Sequence, residues 1–300
     1  MIYKPWLRVV YTNWKARCLM VKVLRPGFYS TIQDLGRLGA MHYGVPQSGV
    51  MDRYATGLAN MLLGNDETAA VLEMTMTGCV LAFETDTYIC LSGADMSPKL
   101  NDQIIACHKP IKIMAGDVLS FGKLQTGFRC YLAVSGGFKT KAVLASRSMY
   151  QGITKQAVLL KDDELPIAAS KTLNTVHHAG IRLNSKYLLD PLLPVYKGPE
   201  FELLTPEQQS LLLSLDFTIS ATHNRMGYHL KELLPNVLEA IITAPVLPGT
   251  VQLTPSGTLI VLMRDCQTTG GYPRVLQLSD MAMCVLAQKL TGQTVCFELL

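Results

Sequence analysis

The 300-residue sequence lacks the motifs that would assign it to several common classes of enzyme. It has no Gly-x-x-x-x-Gly-Lys-Ser/Thr phosphate loop, no Gly-x-Gly-x-x-Gly dinucleotide motif, no His-Glu-x-x-His zinc motif and no Gly-x-Ser-x-Gly nucleophile elbow. No apolar run approaches the roughly 18 residues that a membrane-spanning helix needs. We therefore expect a protein without a membrane span. Because the phosphate loop is absent, we expect a partner chain to bind ATP if the reaction consumes it.

Paired metal ligands are absent as well. None of the eight cysteines forms a Cys-x-x-Cys pair, and several lie in apolar runs such as YICLS and TVCFEL. This pattern predicts buried, reduced thiols in a cytoplasmic protein, with neither a disulfide framework nor a zinc site. Cys266 lies in a polar run, where a packing role is favoured over a reactive thiol. His177 and His178 have no third ligand nearby, so no metal site is predicted.

The excess of basic charge is confined to the N-terminus. The chain has 27 Lys and Arg against 23 Asp and Glu, and residues 1–19 hold four of the basic residues and no acidic one. The remainder is balanced, which argues against a basic surface for nucleic acid. Residues 1–19 also lack the apolar core of a signal peptide. We expect them to be a disordered extension or a misassigned start.

A series of features occurs twice in the same order along the chain. The parallel positions are Arg37 and Arg225, Glu73 and Glu239, Asp95 and Asp265, and Phe121 and Phe297. Such self-similarity indicates an internal duplication. We predict an extension at 1–19, a first unit at 20–135, a connecting region at 136–194 and a second unit at 195–300.

Both units are rich in strand patterns. Short β-branched or aromatic segments such as YICLS, GDVLSF and TLIVLM are bounded by Gly, Pro or Asp. Helices are few: one is predicted over 51–63, one from a capping box at Thr205 to about residue 214, and one from Ser279 to Leu290. The sequence therefore predicts a mainly β protein with a few helices, in which each unit closes into a β-barrel.

The segment DLGRLGAMHYGVPQSGVMD, residues 34–52, predicts a long shaped loop that ends at a helix N-terminus. Free N–H groups at such a terminus suit a carboxylate or a phosphate. Arg37 is a candidate catalytic residue that clamps a carboxylate, or else a structural partner of Asp34. Ser48 and Asp52 are candidate substrate ligands, although Asp52 could equally complement the helix dipole.

Two aspartates follow apolar strands and are predicted at the mouths of the two barrels. Asp95 follows YICLSG, and Asp265 follows TLIVLM. A carboxylate at a partly buried mouth is suited to orient an amide N–H or to act as a base. The alternative for each is a turn-forming Asp, which is common after strands.

The run DCQTTGGYP, residues 265–273, is too polar for a core and too specialised for a plain turn. Its side chains offer donors and acceptors, its two glycines allow close approach to backbone, and its tyrosine adds an amphipathic wall. The candidate substrate-binding residues here are Gln267, Thr268, Thr269, Gly270, Gly271 and Tyr272. Tyr228 and Gln252 are placed with them, and Arg225 is a further candidate catalytic residue.

Four segments together resemble one family: RPGFYSTIQDLGRLGAMHYGVPQSGVMDRYATGLANMLLGN, NRMGYHL, PVLPGTVQ and DCQTTGGYP. The chain is similar to the allophanate hydrolase subunit 2-like family, also called the KipA or biotin-dependent carboxyltransferase family, from about residue 21 to 297. The resemblance implies two tandem cyclophilin-like β-barrels. Two positions differ from the family pattern, Ala244 before PVLPG and His229 after NRMGY, and both bear on the details of substrate recognition.

Members of this family act in bacterial ATP-dependent 5-oxoprolinase and in urea carboxylase. The resemblance therefore implies a role in hydrolysing 5-oxo-L-proline to L-glutamate, together with two partner chains, one of KipI type and one of lactam-utilisation type. ATP is expected to bind outside this chain, which is also expected to carry no metal and no biotin attachment. Carboxyl transfer from carboxybiotin to urea or a similar amide is one alternative. Non-enzymatic antagonism of a KipI-type kinase inhibitor is another.

Overall fold

The structure, a computed structural model, describes residues 19–169 and 185–300. Residues 1–18 of the predicted extension and the predicted His177–His178 loop lie outside the described residues. The described chain is mainly β with three α-helices, as predicted. None of the helices in these two ranges has the length and apolarity that crossing a lipid bilayer requires.

The first half of the chain forms two sheets. Its strands are β1 (Met20–Arg25), β2 (Tyr29–Gln33), β3 (Val71–Thr75), β4 (Val80–Phe83), β5 (Thr87–Asp95), β6 (Pro98–Leu100), β7 (Gln103–Ile104), β8 (Ile111–Ile113), β9 (Val118–Phe121), β10 (Thr126–Val134) and β11 (Glu164–Pro166). One sheet has the order β11-β1-β4-β9-β6-β7 and the other has the order β2-β3-β10-β5-β8. Strand β11 lies within the predicted connecting region, so the sheet of the first unit extends past residue 135.

The two sheets enclose one core and carry a helix on an outer face. Successive side chains of strand β10 point to opposite faces of its sheet. Cys130 and Leu132 point into the core between the sheets, while Tyr131 and Ala133 pack with helix α1 (Arg53–Leu62). The helix was predicted over residues 51–63 and begins two residues later, at Arg53, because the Asp52 side chain accepts the backbone N–H of Ala55 as an N-cap.

The second half closes into a barrel. Its strands are β12 (Leu192–Lys197), β13 (Phe217–His223), β14 (Gly227–Leu233), β15 (Ala244–Pro245), β16 (Thr250–Leu253), β17 (Thr258–Leu262), β18 (Thr269–Gly270), β19 (Arg274–Leu278) and β20 (Thr294–Leu299). The barrel order is β12-β19-β16-β17-β14-β13-β20, and β15 pairs with β18 outside it. The sequence predicts a closed barrel for both units, and within the described residues closure is found in the second unit.

Two further helices belong to the second half, and both start at predicted caps. Helix α2 (Pro206–Ser214) has a complete capping box between Thr205 and Gln208. Helix α3 (Asp280–Ala287) is capped by the Ser279 hydroxyl, which accepts the N–H of Ala282. Helix α3 ends before the predicted Leu290 because Gln288 turns into the interior between the two halves.

The predicted duplication is not matched at every parallel position. Glu73 lies in the buried strand β3, whereas Glu239 is exposed and lies outside the strands and helices. Phe121 ends β9 and Phe297 lies in β20, so those two positions both fall in strands. The duplication itself stays a prediction.

Candidate functional site

A buried group of charged side chains joins the two halves of the molecule. Arg225 donates from Nε to Asp265 Oδ2 at 2.7 Å and from Nη2 to Asp265 Oδ1 at 3.1 Å. Its Nη1 donates to Glu73 Oε1 at 2.5 Å, across to the first half. Glu73 also accepts the backbone N–H of Met51 at 2.8 Å. One guanidinium from the second half therefore bridges one carboxylate from each half.

Backbone pairing holds Arg225 and Asp265 opposite each other. Arg225 lies in the turn between β13 and β14, and Asp265 follows β17, which pairs with β14. The N–H of Asp265 donates to the carbonyl of Arg225 at 2.8 Å. Burial lowers the pKa of Arg225, but the carboxylates of Asp265 and Glu73 outweigh burial and raise the pKa above its ordinary value. The guanidinium is therefore a fixed positive charge.

A second buried network lies beside the first. Arg129 donates from Nη1 to the Tyr228 hydroxyl at 2.7 Å and to the Ala287 carbonyl at 2.6 Å, and its Nε lies 3.9 Å from Glu73. Gln288 accepts the backbone N–H groups of Phe128 and Arg129, each at 2.9 Å. These contacts hold the end of α3 against β10, so Arg129 and Arg225 are positioned by both halves.

A cleft of about 940 Å³ opens onto these networks. Arg129, Arg225 and Asp265 form its charged wall, and Phe28, Met76 and Phe128 contribute apolar surface. A pocket of this size with a few converging polar groups is typical of a small-molecule site. We identify it as the candidate functional site.

His223 also lines the cleft and is a residue that the sequence did not single out. Its Nε2 lies 3.0 Å from the Thr291 hydroxyl, and its ring lies 4.8 Å from that of Tyr228. Burial and then the charge of Arg129 lower the pKa of His223, which favours a neutral imidazole at pH 7. A neutral imidazole can accept a proton from a bound molecule.

A second, smaller pocket of about 330 Å³ shares Asn224 and Met226 with the cleft. It contains much of the predicted substrate-binding set, namely Gln252, Gln267, Gly270, Gly271 and Tyr272. The structure thus divides the predicted residues: Arg225 and Asp265 face the large cleft, and the amide- and glycine-rich run faces the smaller pocket.

The sequence of residues 43–299 matches the family described as carboxyltransferase domain, subdomain A and B. The chain belongs to this family. It is 36% identical to the C subunit of 5-oxoprolinase from Escherichia coli (strain K12), over 93% of this chain and 90% of that protein. It is 31% identical to the C subunit of 5-oxoprolinase from Haemophilus influenzae, over 93% of this chain and 91% of that protein.

The fold of this carboxyltransferase-domain chain is also found in a much longer enzyme. The structure of Kluyveromyces lactis urea carboxylase aligns with a TM-score of 0.79 and 26% sequence identity, over 93% of this chain. The chain spans 27% of that protein, so the likeness concerns one region of it.

Several predicted site residues lie outside the lining of both pockets. Arg37 is buried and donates from Nη2 to the Ser148 carbonyl, while Asp34, its predicted alternative partner, accepts from Ser146 and Ser148 instead. Burial lowers the pKa of Arg37. Ser48 is fully buried with a left-handed φ of 57°, and no hydrogen bond is made by its hydroxyl within the described chain.

Asp52 and Tyr228 are internal in this carboxyltransferase domain. Asp52 has no exposed surface and accepts from Tyr187 Oη at 2.7 Å and Gln288 Nε2 at 2.8 Å, in addition to capping α1. Burial raises the pKa of Asp52 despite these hydrogen bonds. Tyr228 is also fully buried, with its hydroxyl on Arg129. Both hold the two halves together rather than face a pocket.

Asp95 is separated from Asp265, although the sequence gives the two equivalent roles. Its side chain is exposed and accepts the N–H of Ser97 at 2.7 Å, the geometry of a turn-forming Asp. It lines neither pocket. Thr268 and Thr269 are likewise outside the lining, because Thr269 pairs with Pro245 in the short β15–β18 ladder.

Three residues of the carboxyltransferase-domain site were missed by the sequence: Arg129, Gln288 and His223. Arg129 lies in an apolar strand, and Gln288 lies at the end of an apolar helix. A polar residue inside such an apolar pattern could have indicated a buried polar site. Glu73 is also a charged residue in an apolar strand, but it was named from the sequence only as one of the repeated positions. A charged residue within a buried strand needs a partner.

Proposed function

We propose that this chain is the C subunit of an ATP-dependent 5-oxoprolinase, which opens the lactam of 5-oxo-L-proline to give L-glutamate with hydrolysis of ATP. The observation that carries the proposal is the 36% identity, over 93% of the chain, to a protein of that name. The cleft supports it, because it offers both charged and apolar surface for a small ring with a carboxylate.

The chemistry requires activation of a stable amide. Phosphorylation of the lactam oxygen by ATP makes the ring carbon attackable by water. After water adds, the C–N bond breaks, the ring nitrogen gains a proton and an acyl phosphate remains. A second water hydrolyses this acyl phosphate to L-glutamate and inorganic phosphate. Cationic and N–H groups stabilise the charge that develops on oxygen. We propose that Arg129, Arg225 and the neutral ring of His223, which line the cleft, take these roles and that Asp265 accepts the ring N–H.

The reaction is proposed to need two partner chains in the cytoplasm, one of KipI type and one of lactam-utilisation type. ATP is proposed to bind on those partners, with neither metal nor biotin attached to this chain. The test is co-expression of the three chains, followed by measurement of glutamate released from 5-oxoproline with and without ATP. We expect ATP-dependent glutamate that disappears when this chain is omitted. An intact complex that releases none would refute the proposal.

Carboxyl transfer to urea or a similar amide is a second candidate. It is favoured by the description of the family and by the likeness to urea carboxylase of Kluyveromyces lactis. Biotin-dependent incorporation of labelled bicarbonate into urea, with no glutamate from 5-oxoproline, would select it. Complex formation without either turnover would instead select the antagonist of a KipI-type kinase inhibitor.

A further inference from the structure

Two arginines outside both pockets have N–H groups without hydrogen-bond acceptors. Arg264 lies two residues after β17 and is 4% exposed, and its Nε and Nη2 have no acceptor among the described residues. Arg53 is the first residue of α1, and its Nε is likewise buried without an acceptor in that part of the chain. Its Nη2 lies 3.4 Å from the Leu35 carbonyl, which is a long contact. Buried guanidinium groups are normally paired, because an unpaired buried charge is costly.

Asp280 is the acidic residue that faces both arginines. Its Oδ1 lies 3.9 Å from Arg53 Nη1 and 3.9 Å from Arg264 Nη2, whereas charge-assisted hydrogen bonds are about 2.7–2.9 Å long. Neither arginine has a second carboxylate within ion-pair distance in the described chain. The Asp280 side chain is 83% exposed, so water screens its charge and the side chain is free to turn away. One screened carboxylate therefore faces two guanidinium groups.

The local charge is positive. Burial, followed by the charge of Arg53, lowers the pKa of Arg264 to about 10, so this guanidinium stays protonated at pH 7. Arg53 and Asp280 are the first residues of α1 and α3, where the helix dipoles add partial positive charge. Asp280 offsets one of the two full charges. A small anion with several oxygen atoms would supply acceptors to both guanidinium groups at once.

The arginine pair is separate from the cleft and from the smaller pocket, because neither arginine lines either one. It is joined to the loop of residues 34–52, since the N–H of Ser48 donates to the Arg264 carbonyl at 2.9 Å. The sequence predicts that this loop ends at a helix N-terminus suited to an anion, with Arg37 as the clamp. The structure places Arg53 and Arg264 there instead, while Arg37 donates to a carbonyl of the connecting region.

We propose that Arg53 and Arg264 bind a phosphate group, either inorganic phosphate or a phosphate monoester, beside the start of α1. Each guanidinium can donate two parallel N–H groups to phosphate oxygens. The partly exposed Arg53 and the exposed Asp280 give access from solvent. Asp280 competes for the same N–H groups and turns into solvent when the phosphate binds. The proposal does not depend on the 5-oxoprolinase assignment.

The test titrates the full 300-residue chain with inorganic phosphate at pH 7 and constant ionic strength. NMR signals of the arginine Nε–H groups report binding residue by residue. We expect the signals of Arg53 and Arg264 to shift, and phosphate to bind about tenfold more tightly than acetate, which has fewer oxygens and a single charge. Phosphate should also raise the thermal unfolding temperature, because it binds the folded chain. A titration with glycerol 3-phosphate distinguishes the two sources: tighter binding than inorganic phosphate indicates a monoester, and weaker binding indicates the free ion.

Substitutions separate a phosphate site from a general effect of charge. Arg264→Leu and Arg53→Leu should each weaken phosphate binding about tenfold or more. Arg25→Leu is the matched control, since Arg25 is an exposed arginine of β1, and it should change the affinity less than about twofold. Asp280→Asn should tighten binding about threefold or more because it removes the competing charge. Asp102→Asn removes the same charge from an exposed residue elsewhere and should leave the affinity unchanged.

Thermal unfolding of each variant shows that it is folded. Arg264→Leu should retain its fold, because the Nε and Nη2 groups that it removes have no acceptor in the described chain. Arg53, whose side chain is 33% exposed, provides the second variant if Arg264→Leu is unstable.

The proposal fails if phosphate binds no more tightly than acetate at the same ionic strength. It also fails if folded Arg264→Leu binds phosphate as the unaltered chain does, or if Asp280→Asn binds it no more tightly than Asp102→Asn. NMR shifts confined to Arg129 and Arg225 would place the ion in the large cleft and would likewise contradict a site beside α1. Each of these outcomes is a binding measurement that needs no turnover, so the 5-oxoprolinase proposal stands or fails separately.

Discussion

Arg225 and Asp265 meet through two hydrogen bonds, from Nε to Oδ2 at 2.7 Å and from Nη2 to Oδ1 at 3.1 Å. Their side chains are 6% and 7% exposed, yet both residues line the large cleft. Two-point pairing fixes the plane of each group, and Glu73 holds the guanidinium from the other half of the molecule. The pair is therefore both a joint between the halves and a charged wall of the site.

Replacement of Asp265 by Asn should be costly. The change keeps the shape of the side chain but leaves Arg225 with one carboxylate instead of two in a buried setting. We expect the free energy of unfolding to fall by about 3 kcal/mol or more. We also expect glutamate release by the assembled complex to fall below detection. Urea denaturation followed by circular dichroism measures the first effect, and the coupled glutamate assay measures the second.

Asp95→Asn is the matched control. Asn makes the same exposed turn as Asp, so the free energy of unfolding should change by no more than about 0.5 kcal/mol. Activity of the complex should be retained. Equal losses of unfolding free energy and of activity in the Asp95 and Asp265 variants would show that the two aspartates have the same role, as the repeat in the sequence suggests. The difference between an exposed turn and a buried ion pair would then not affect function.

Gln288 should be critical for stability. Its Oε1 accepts from the N–H groups of Phe128 and Arg129, and its Nε2 donates to Asp52 Oδ2 and the Arg129 carbonyl. Gln288→Leu has a similar size but removes one hydrogen bond from each of these four buried groups, of which Asp52 Oδ2 keeps the bond from Tyr187 Oη. We expect the free energy of unfolding to fall by about 3 kcal/mol or more.

The comparison for this change is Gln125→Leu. Gln125 is exposed and donates to Ser97 Oγ at 3.1 Å, so water replaces the lost contact. Its unfolding free energy should stay within about 0.5 kcal/mol of that of the unaltered chain. Similar values for the two variants would mean that the network at Gln288 does not hold the halves together.

Local features of the fold could be predicted from the sequence because they depend on residues close in the chain. The caps of two of the three described helices, at Thr205 and Ser279, were predicted from the sequence, since each side chain bonds a backbone N–H three residues later. The third cap, Asp52, was predicted as a substrate ligand or a dipole partner instead. The mainly β content followed from short β-branched segments. Closure of the barrels was a harder prediction, because it depends on which distant strands pair.

The site was predicted in pieces for the same reason. Arg225 and Asp265 were both named, but Glu73, which is 152 residues from Arg225, was not named as their partner. Asp95 and Asp265 follow similar apolar strands and were given the same role. After Asp95 the chain makes a surface turn at Ser97, whereas Asp265 is held by the carbonyl of Arg225. Only the three-dimensional pairing separates them.

His223 should make stability sensitive to acid. Burial and the charge of Arg129 lower its pKa below the ordinary 6.5. A histidine with a lower pKa in the folded chain binds fewer protons when folded, so unfolding becomes more favourable as protons are added. The stability contributed by its neutral form is present above pH 6.5 and is lost as the pH falls through the folded pKa.

We therefore expect His223→Gln to lose less unfolding free energy between pH 7 and pH 5 than the unaltered chain does. The comparison between the two proteins isolates His223, because His108, whose pKa is also lowered by burial, is present in both. Urea denaturation at several pH values gives the curves. Parallel curves for the two proteins would contradict a lowered pKa at His223.

Cys266 should be an unreactive thiol despite its place beside Asp265. It is 4% exposed, and burial followed by the Asp265 charge raises its pKa to about 12. The thiolate is the nucleophile, so at pH 8 alkylation by iodoacetamide should be slower by at least about a hundredfold in the folded chain than in urea. Cys296, which is less buried, should react before Cys266. Mass spectrometry of the alkylated peptides gives both rates. If Cys266 reacted before Cys296 in the folded chain, its side chain would have to be reachable from the cleft, and the reactive-thiol alternative at this position would replace the packing role.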